Sequence, residues 1–364
     1  MQQYNVDFFK RDMTFVHNTL IDSVPIDDDY ISSAINVIDI ESTFLVAVGQ
    51  FIRIQNSEYS FFGVVSDVSP GEYTTRVSYK SFITVFEDEV LFNTHLQGTG
   101  NASTRPTLES LIRTYLTNTY INTSDTQQIL PISVTIDSNI TQTLDWSFGY
   151  RSDDEEVHHK ELSLYSELIV PALCKYGVVI DVNPSFHDQV IYLTITKRSI
   201  AFNISADLQN VTVKTLKYND HSIGTNKLVV YNANVLEHSV IFYVHTDRTW
   251  DLEDQDRVTP VIQALRIVMP SENTDEAFAE AALEAAYSML AGVKFDNLIE
   301  LETYIDDVNI APLDLMIGQT VEIWYNGASY SSILTGKKFE GNKVTLLFGS
   351  DRIEYTKRVK LHGG

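Results

Sequence analysis

The chain has 364 residues, a formal net charge of −23 from 49 acidic and 26 basic residues, and a hydrophobic fraction of 44%. The acidic balance argues against a nucleic acid held through its phosphates, and the hydrophobic fraction argues against extensive disorder. Cys174 is the only cysteine, which excludes an internal disulfide and any multi-thiolate zinc site, and no apolar run reaches the ~20 residues of a membrane span. The length suits about two to four domains, and 19 Tyr and 18 Phe among many Val, Ile and Thr lean the chain towards β structure. The opening "MQQYNVDFFKRDMTF" lacks the basic-then-apolar order of a secretion signal.

From Thr43 to Phe86, alternating runs such as "FIRIQ", "YSFFGVV" and "YTTRVSY", split by "NSE" and "SPGE", predict strands joined by turns. From "STRPTLESLI" the period changes: Thr107 can cap a helix carrying Leu108, Leu111, Ile112 and Leu116 at helical spacing. A second helix is predicted from His159 to Tyr176, with Leu162, Tyr165, Leu168, Ile169, Leu173 and Tyr176 on one stripe. Pro171 should kink or split it and Gly177 should stop it in the left-handed conformation. "GVVIDV" and "QVIYLTITK" follow as a strand pair.

"NKLVVYNA" and "HSVIFYVHT" then resume the strand pattern. "SENTDEAFAEAALEAAYSMLAG" predicts a helix capped by Ser271 or Thr274 and ended by Gly292. Strands and turns return from Phe295 to Lys360. The fold class is therefore mainly β with an α/β insertion. In residue ranges, a first β unit spans 1–100 plus about 199–222, and an inserted α/β unit spans 101–198. A second β unit spans 223–270 plus 306–364, with a helical insertion at 271–305.

One phrase occurs twice. Val48-Gly49-Gln50 matches Ile317-Gly318-Gln319, and Ile52, Arg53 and Ile54 match Val321, Glu322 and Ile323. With a residue or two of slack, Asn56 then meets Asn326, Tyr59-Ser60 meets Tyr330-Ser331, and Gly71 and Thr75 meet Gly341 and Thr345. Asn326-Gly327 is a type I′ hairpin signal. The alternatives are a shared hairpin vocabulary and a duplicated β domain; duplication accounts for more of the matches. It would give a trimer six similar modules, a way for a threefold ring to mate with a sixfold one.

The segments "NKLVVYNANVLEHSVIFYVHT", "DRVTPVI", "FAEAALEAAYSMLAGVKFDNLIELE" and "MIGQTVEIWYNGASYSSILTG" resemble the tail hub proteins of tailed bacteriophages and prophages. The likeness extends to the hub-forming part of tail-associated lysins of phages infecting Gram-positive bacteria. The resemblance implies two related β-barrel domains, an α/β domain inserted after the first, and a helix-bearing insertion near the second. It also implies a homotrimeric, pseudo-sixfold ring at the tail tip, resident in the virion. Expected partners are a hexameric distal tail or tail tube protein, a tape-measure protein, and a tail fibre or receptor-binding protein. DNA would pass through without stable binding. Many members continue into a fibre or cell-wall hydrolase; here the sequence ends at "TKRVKLHGG", so a stand-alone hub is expected.

No motif with catalytic spacing survives inspection. Gly336-Lys337 has Ser331 where a phosphate-binding loop needs glycine, and "GASYS" is not a nucleophile elbow. His158, His159 and Glu161 beside Asp153–Glu156 lack a fixed metal-ligand spacing and read as a solvated loop entering a helix. "DLEDQDR", Asp251 to Arg257, has Asp256 where a calcium loop needs glycine and Ile262 where it needs a bidentate carboxylate, so it reads as an acidic turn. Cys174, near an apolar stripe, reads as a buried thiol before a peptidase nucleophile. Strand aromatics read as core before a sugar-stacking platform. No catalytic, cofactor or metal residue is assigned, and a non-enzymatic structural hub is expected. The alternatives are a cell-wall-degrading tail lysin and a wall-saccharide receptor-binding module.

Overall fold

The computed structural model describes residues 3–87, 89–93, 107–137, 159–198, 202–218, 225–235, 237–246, 249–257, 259, 261–268, 270, 274–290 and 297–350. The first sheet is built from β1 (Tyr4–Phe9), β2 (Phe15–Ile21), β4 (Asn36–Glu41), β5 (Phe51–Gln55), β6 (Ser60–Pro70) and β7 (Thr74–Ser81). Its strand order is β2-β1-β5-β6-β7-β4. The alternation in "NVIDIE" turns Ile38 and Ile40 inward, as a sheet with one solvated face requires.

The second sheet contains β13 (Phe202–Ser205), β14 (Thr212–Tyr218), β19 (Asn297–Tyr304), β20 (Thr320–Tyr325), β21 (Ala328–Glu340) and β22 (Lys343–Phe348). Their order is β13-β20-β21-β22-β19-β14, and β3 (Ile26–Asp29) crosses from the N-terminal region to pair with β21. Thus β13 and β14, from residues grouped above with the first β unit, hydrogen-bond to the second sheet. β19, whose residues were grouped with the helical insertion, also lies in that sheet. The apolar faces of both sheets feed one core, in which Val6, Ile52, Ile54, Val321, Ile323 and Leu346 are fully buried or nearly so.

Within these sheets the four strands β5-β6-β7-β4 and β20-β21-β22-β19 repeat the same arrangement. The match has a constant separation of 269 residues, from 49 to 318, 52 to 321, 65 to 334 and 79 to 348. Gly49 N–H donates to Val65 C=O (2.9 Å) and Val65 N–H to Gln50 C=O (2.8 Å); Gly318 N–H donates to Leu334 C=O (2.8 Å) and Leu334 N–H to Gln319 C=O (2.9 Å). Both glycines have φ of +84°, where a Cβ would be strained, so each forms the third position of a tight turn. Each copy carries a β-bulge at the same place, between Val65 and Asp67 and between Leu334 and Gly336. The slack in the sequence alignment is thereby corrected. Tyr330 matches Phe61 and Ser331 matches Phe62, because strand register admits no gap between two turns of equal length. The loop leading into β20 absorbs the length difference instead: β4 and β19 are separated by only 263 residues, from 36 to 299.

The α/β unit packs α1 (Leu108–Tyr120) and α2 (Val170–Tyr176) with a sheet of order β11-β12-β9, made of β9 (Ile132–Ile136), β11 (Val178–Ser185) and β12 (Val190–Lys197). Thr107 caps α1, its Oγ1 accepting from Ser110 N–H (3.2 Å), and Leu108, Leu111, Ile112 and Leu116 are buried. The predicted helix from His159 to Tyr176 is corrected. His159–Ser163 is a strand, β10, whose backbone is taken up by antiparallel pairing with β8 (Glu89–Asn93), and this pairing outweighs helical periodicity. A π-type turn at Tyr165–Ile169 leads into α2, placing Pro171 in the first turn of α2, where its missing N–H disrupts nothing. Gly177 then stops α2 with φ of +70°.

A further sheet of order β17-β16-β15-β18 comprises β15 (Lys227–Asn232), β16 (Ser239–Val244), β17 (Trp250–Asp251) and β18 (Gln263–Val268). The helix α3 (Asp275–Leu290) covers it through Phe278, Ala282, Ala286 and Leu290. Thr274 supplies its cap, Oγ1 accepting from Ala277 N–H (3.2 Å). Ser271 and Gly292 lie outside the described residues.

Candidate functional site: a cleft at the meeting of three units

The crossing strand β3 carries "IDDD" and lies against "GKKF" of β21. Register places Asp28 opposite Lys337, and side chains opposite one another share a sheet face. On the other face Lys338 Nζ pairs with Asp27 at 2.8 Å. Tyr59 packs its ring at a tilt on Phe339, with centroids 3.9 Å apart, and donates its hydroxyl to Asp28 Oδ2 (2.8 Å). Ser81 Oγ donates to the other oxygen, Oδ1 (3.2 Å).

Beside this cluster opens a 480 Å³ cleft whose third wall is β11 of the α/β unit. Tyr30 ties the walls together: its Oη accepts from Ile180 N–H (3.0 Å), and Tyr165 Oη donates to its carbonyl (2.9 Å). At the rim Arg198 donates Nη1 to Ile317 C=O (2.8 Å) and Nη2 to both oxygens of Asp181 (2.6 Å each). The turn at Gly318 reaches the same wall, since a Cβ there would sit 3.1 Å from Val179 Cγ1.

The charges in the cleft are displaced from their ordinary behaviour. Lys337 is only 8% exposed. Burial pulls its ammonium down to about 8, with Asp28 and Asp314 opposing. Burial raises the Asp28 carboxyl, with the Tyr59 and Ser81 hydroxyls opposing. Burial, followed by the neighbouring Asp28 charge, holds the Tyr59 phenol well above its usual range. Chemically, the cleft offers a buried cation with donor capacity, a hydrogen-bonded carboxylate and apolar walls.

The residues weighed from sequence fall elsewhere. Cys174 is buried in α2. His158 and Asp153–Glu156 lie outside the described residues, as do the side chains of His159 and Glu161; their backbone pairs with β8. Gly336 and Lys337 sit in strand β21, the wrong setting for a phosphate loop. "DLEDQDR" forms a turn in which Asp251 Oδ1 accepts from Glu253 N–H (2.7 Å) and lies 2.8 Å from His245 Nε2. No group of three His, Cys, Asp or Glu side chains placed to hold a metal occurs among the described residues. Asp28, Tyr59 and Lys337 belong to no motif. The one sequence signal was a lysine pair inside the otherwise strand-like "SILTGKKF".

The sequence matches no protein-family model and no curated protein. Its fold is similar to that of the 43 kDa tail protein of prophage MuSo2 from Shewanella oneidensis. That likeness has a TM-score of 0.50 at 10% identity and covers 96% of this chain and 98% of that one. Prophage tail protein gp18 from Listeria monocytogenes EGD-e aligns over 99% of this chain and 100% of its own, with TM-score 0.48 and 10% identity. A chain of the phage P2 baseplate in its activated conformation with Ca aligns over 96% and 98%, with TM-score 0.45 and 12% identity. The first of these likenesses is one of fold, and the fold of this chain is mainly β, with two related barrel-like units and small insertions.

Proposed function

We propose that the chain is a structural component of a phage or prophage tail tip, a homotrimeric hub that closes the tail tube and joins it to the baseplate or fibre. The observation that carries this reading is the repeat of one four-stranded skeleton, bulge and turn included, at a constant 269-residue separation. Three chains then present six similar β units, and a threefold ring can seat on a sixfold one. The shared fold with a prophage tail protein supports the same setting. Under this reading the work is assembly and the chain is non-enzymatic.

Sedimentation of the purified chain, alone and with a hexameric distal tail protein, tests the assembly. The expected species has three times the 41.2 kDa chain mass. A monomer under both conditions would remove the reading. Turbidity assays on Gram-positive cell walls test the tail-lysin alternative, for which no clearing is expected.

A further inference from the structure

We propose that the cleft takes an extended peptide segment of a partner protein, laid along the outer edge of β11 with a carboxylate of that segment on Lys337. This goes beyond the hub reading and stands on the local geometry. The edge is the first observation. In the order β11-β12-β9, β11 is an outer strand. Ile180 N–H leaves the sheet for Tyr30 Oη, so the antiparallel alternation directs the backbone groups of residues 180, 182 and 184 away from β12. Val182 therefore presents one donor and one acceptor at the cleft, among described residues that leave both unengaged. Pro184 has no N–H and ends the run.

Lys337 is the second observation. It is more than nine-tenths buried and lines the same cleft, and among the described residues its Nζ makes no hydrogen bond and no ion pair, with Asp28 and Asp314 acting on it only through their charge. Asp28 opposite it already accepts from Tyr59 and Ser81. A buried ammonium with unfilled donors favours a carboxylate brought in by a ligand. The walls are the third. Phe62, Phe82 and Ile317 are apolar, and 480 Å³ lies within the range of ligand sites, roughly 300–1,000 Å³. An inorganic anion would use the ammonium and leave the strand edge and the apolar walls idle. A β-strand uses all three, its backbone bonding Val182, a side chain filling the apolar wall, and its carboxylate meeting Lys337.

The test is selection from a random-peptide library displayed with free C-termini on the purified full chain, followed by titration of the enriched peptides. Lys337→Met should lower their affinity about tenfold or more, the size of one charge-assisted hydrogen bond, and Lys337→Arg should restore part of it. Val182→Pro removes the outward N–H and also trades a half-buried side chain packed at the edge of the core for a ring, so it is read against Val182→Ala, which loses the same packing and keeps the N–H. The proline should weaken binding further than the alanine at a comparable thermal melt. Amidating the peptide terminus, or replacing its Asp and Glu by Asn and Gln, identifies which carboxylate is bound. A library that yields no binder, or peptides that bind both variants as well as the unaltered chain, overturns the proposal. Sedimentation of the same variants keeps the result separate from the hub reading, because ring formation should be unaffected by either substitution.

Discussion

The two copies of the four-stranded unit share a backbone and differ in what touches it. The Gly318 turn packs against Val179 and Leu173, whereas the space around the position of a Gly49 Cβ is open and its neighbours Leu45 and Val48 are 90% and 63% exposed. Beyond the common bulge, Gly336–Phe339 is covered by β3, while the matching Asp67–Pro70 has no strand on that side among the described residues. Pro70 stands where the second copy has Phe339, and a proline without N–H protects an open edge from unwanted pairing. The glutamines that follow the two glycines diverge likewise. Gln319 Oε1 accepts from Met316 N–H (3.0 Å), and Gln50 Oε1 is buried without a partner among the described residues. The duplicated skeleton is thus kept by turns and register, while the side chains have followed the different neighbours.

The largest effect that would break this comparison is a charge in the shared core. Ile54→Asp and Ile323→Asp occupy matched, fully buried positions, and each places an unpaired carboxylate there. Each should cost more than about 4 kcal/mol and abolish soluble folded protein, as read by circular dichroism and yield. A tolerated substitution at one position alone would show that the two sites are not equivalent.

The glycine turns sharpen the comparison. Gly49→Ala should cost about 1 kcal/mol in urea unfolding, from its φ of +84° alone. Gly318→Ala should cost about 1 kcal/mol more, because the new Cβ also meets Val179 at 3.1 Å. Equal losses would argue that the second turn is not held against the α/β unit.

Lys337 should mark the covered edge through pH. Its folded pKa is lowered to about 8 from 10.5, so between those values the unfolded chain binds more protons at this site than the folded one. Its contribution to stability therefore rises with pH across that window, by up to about 1.4 kcal/mol per unit. The stability difference between the unaltered chain and Lys337→Met should shift accordingly from pH 8 to 9.5, and a flat difference would contradict the buried ammonium. The smallest effect belongs to Lys338→Ala. Its ion pair with Asp27 is partly solvated, the side chains being 41% and 25% exposed, so the loss should stay below about 1 kcal/mol and shrink with salt.

Much of this was legible in the sequence, for physical reasons that vary by residue. Asn326-Gly327 announced its turn because both positions need positive φ, and they have it, at 51° and 78°. Thr107 and Gly177 announced helix ends through groups that satisfy or redirect the backbone. The repeated "GQ" phrase exposed the duplication, yet the side-chain vocabulary misled the alignment in β6 and β21, where Tyr59 and Tyr330 are not equivalent. His159–Ser163 was misread because its pairing partner is about 70 residues upstream, and local periodicity contains no information on such a partner. The cleft was illegible for the same reason. Asp28, Tyr59, Val182 and Lys337 come together only after β3 has crossed to the second sheet.

The most direct test of the proposed hub is electron microscopy of end-on particles of the purified chain, with rotational analysis of the class averages. Six β units alternating round a three-chain ring should give a strong sixfold component alongside the threefold one at low resolution. Averages with a threefold component alone, or particles that form no ring, would contradict the account.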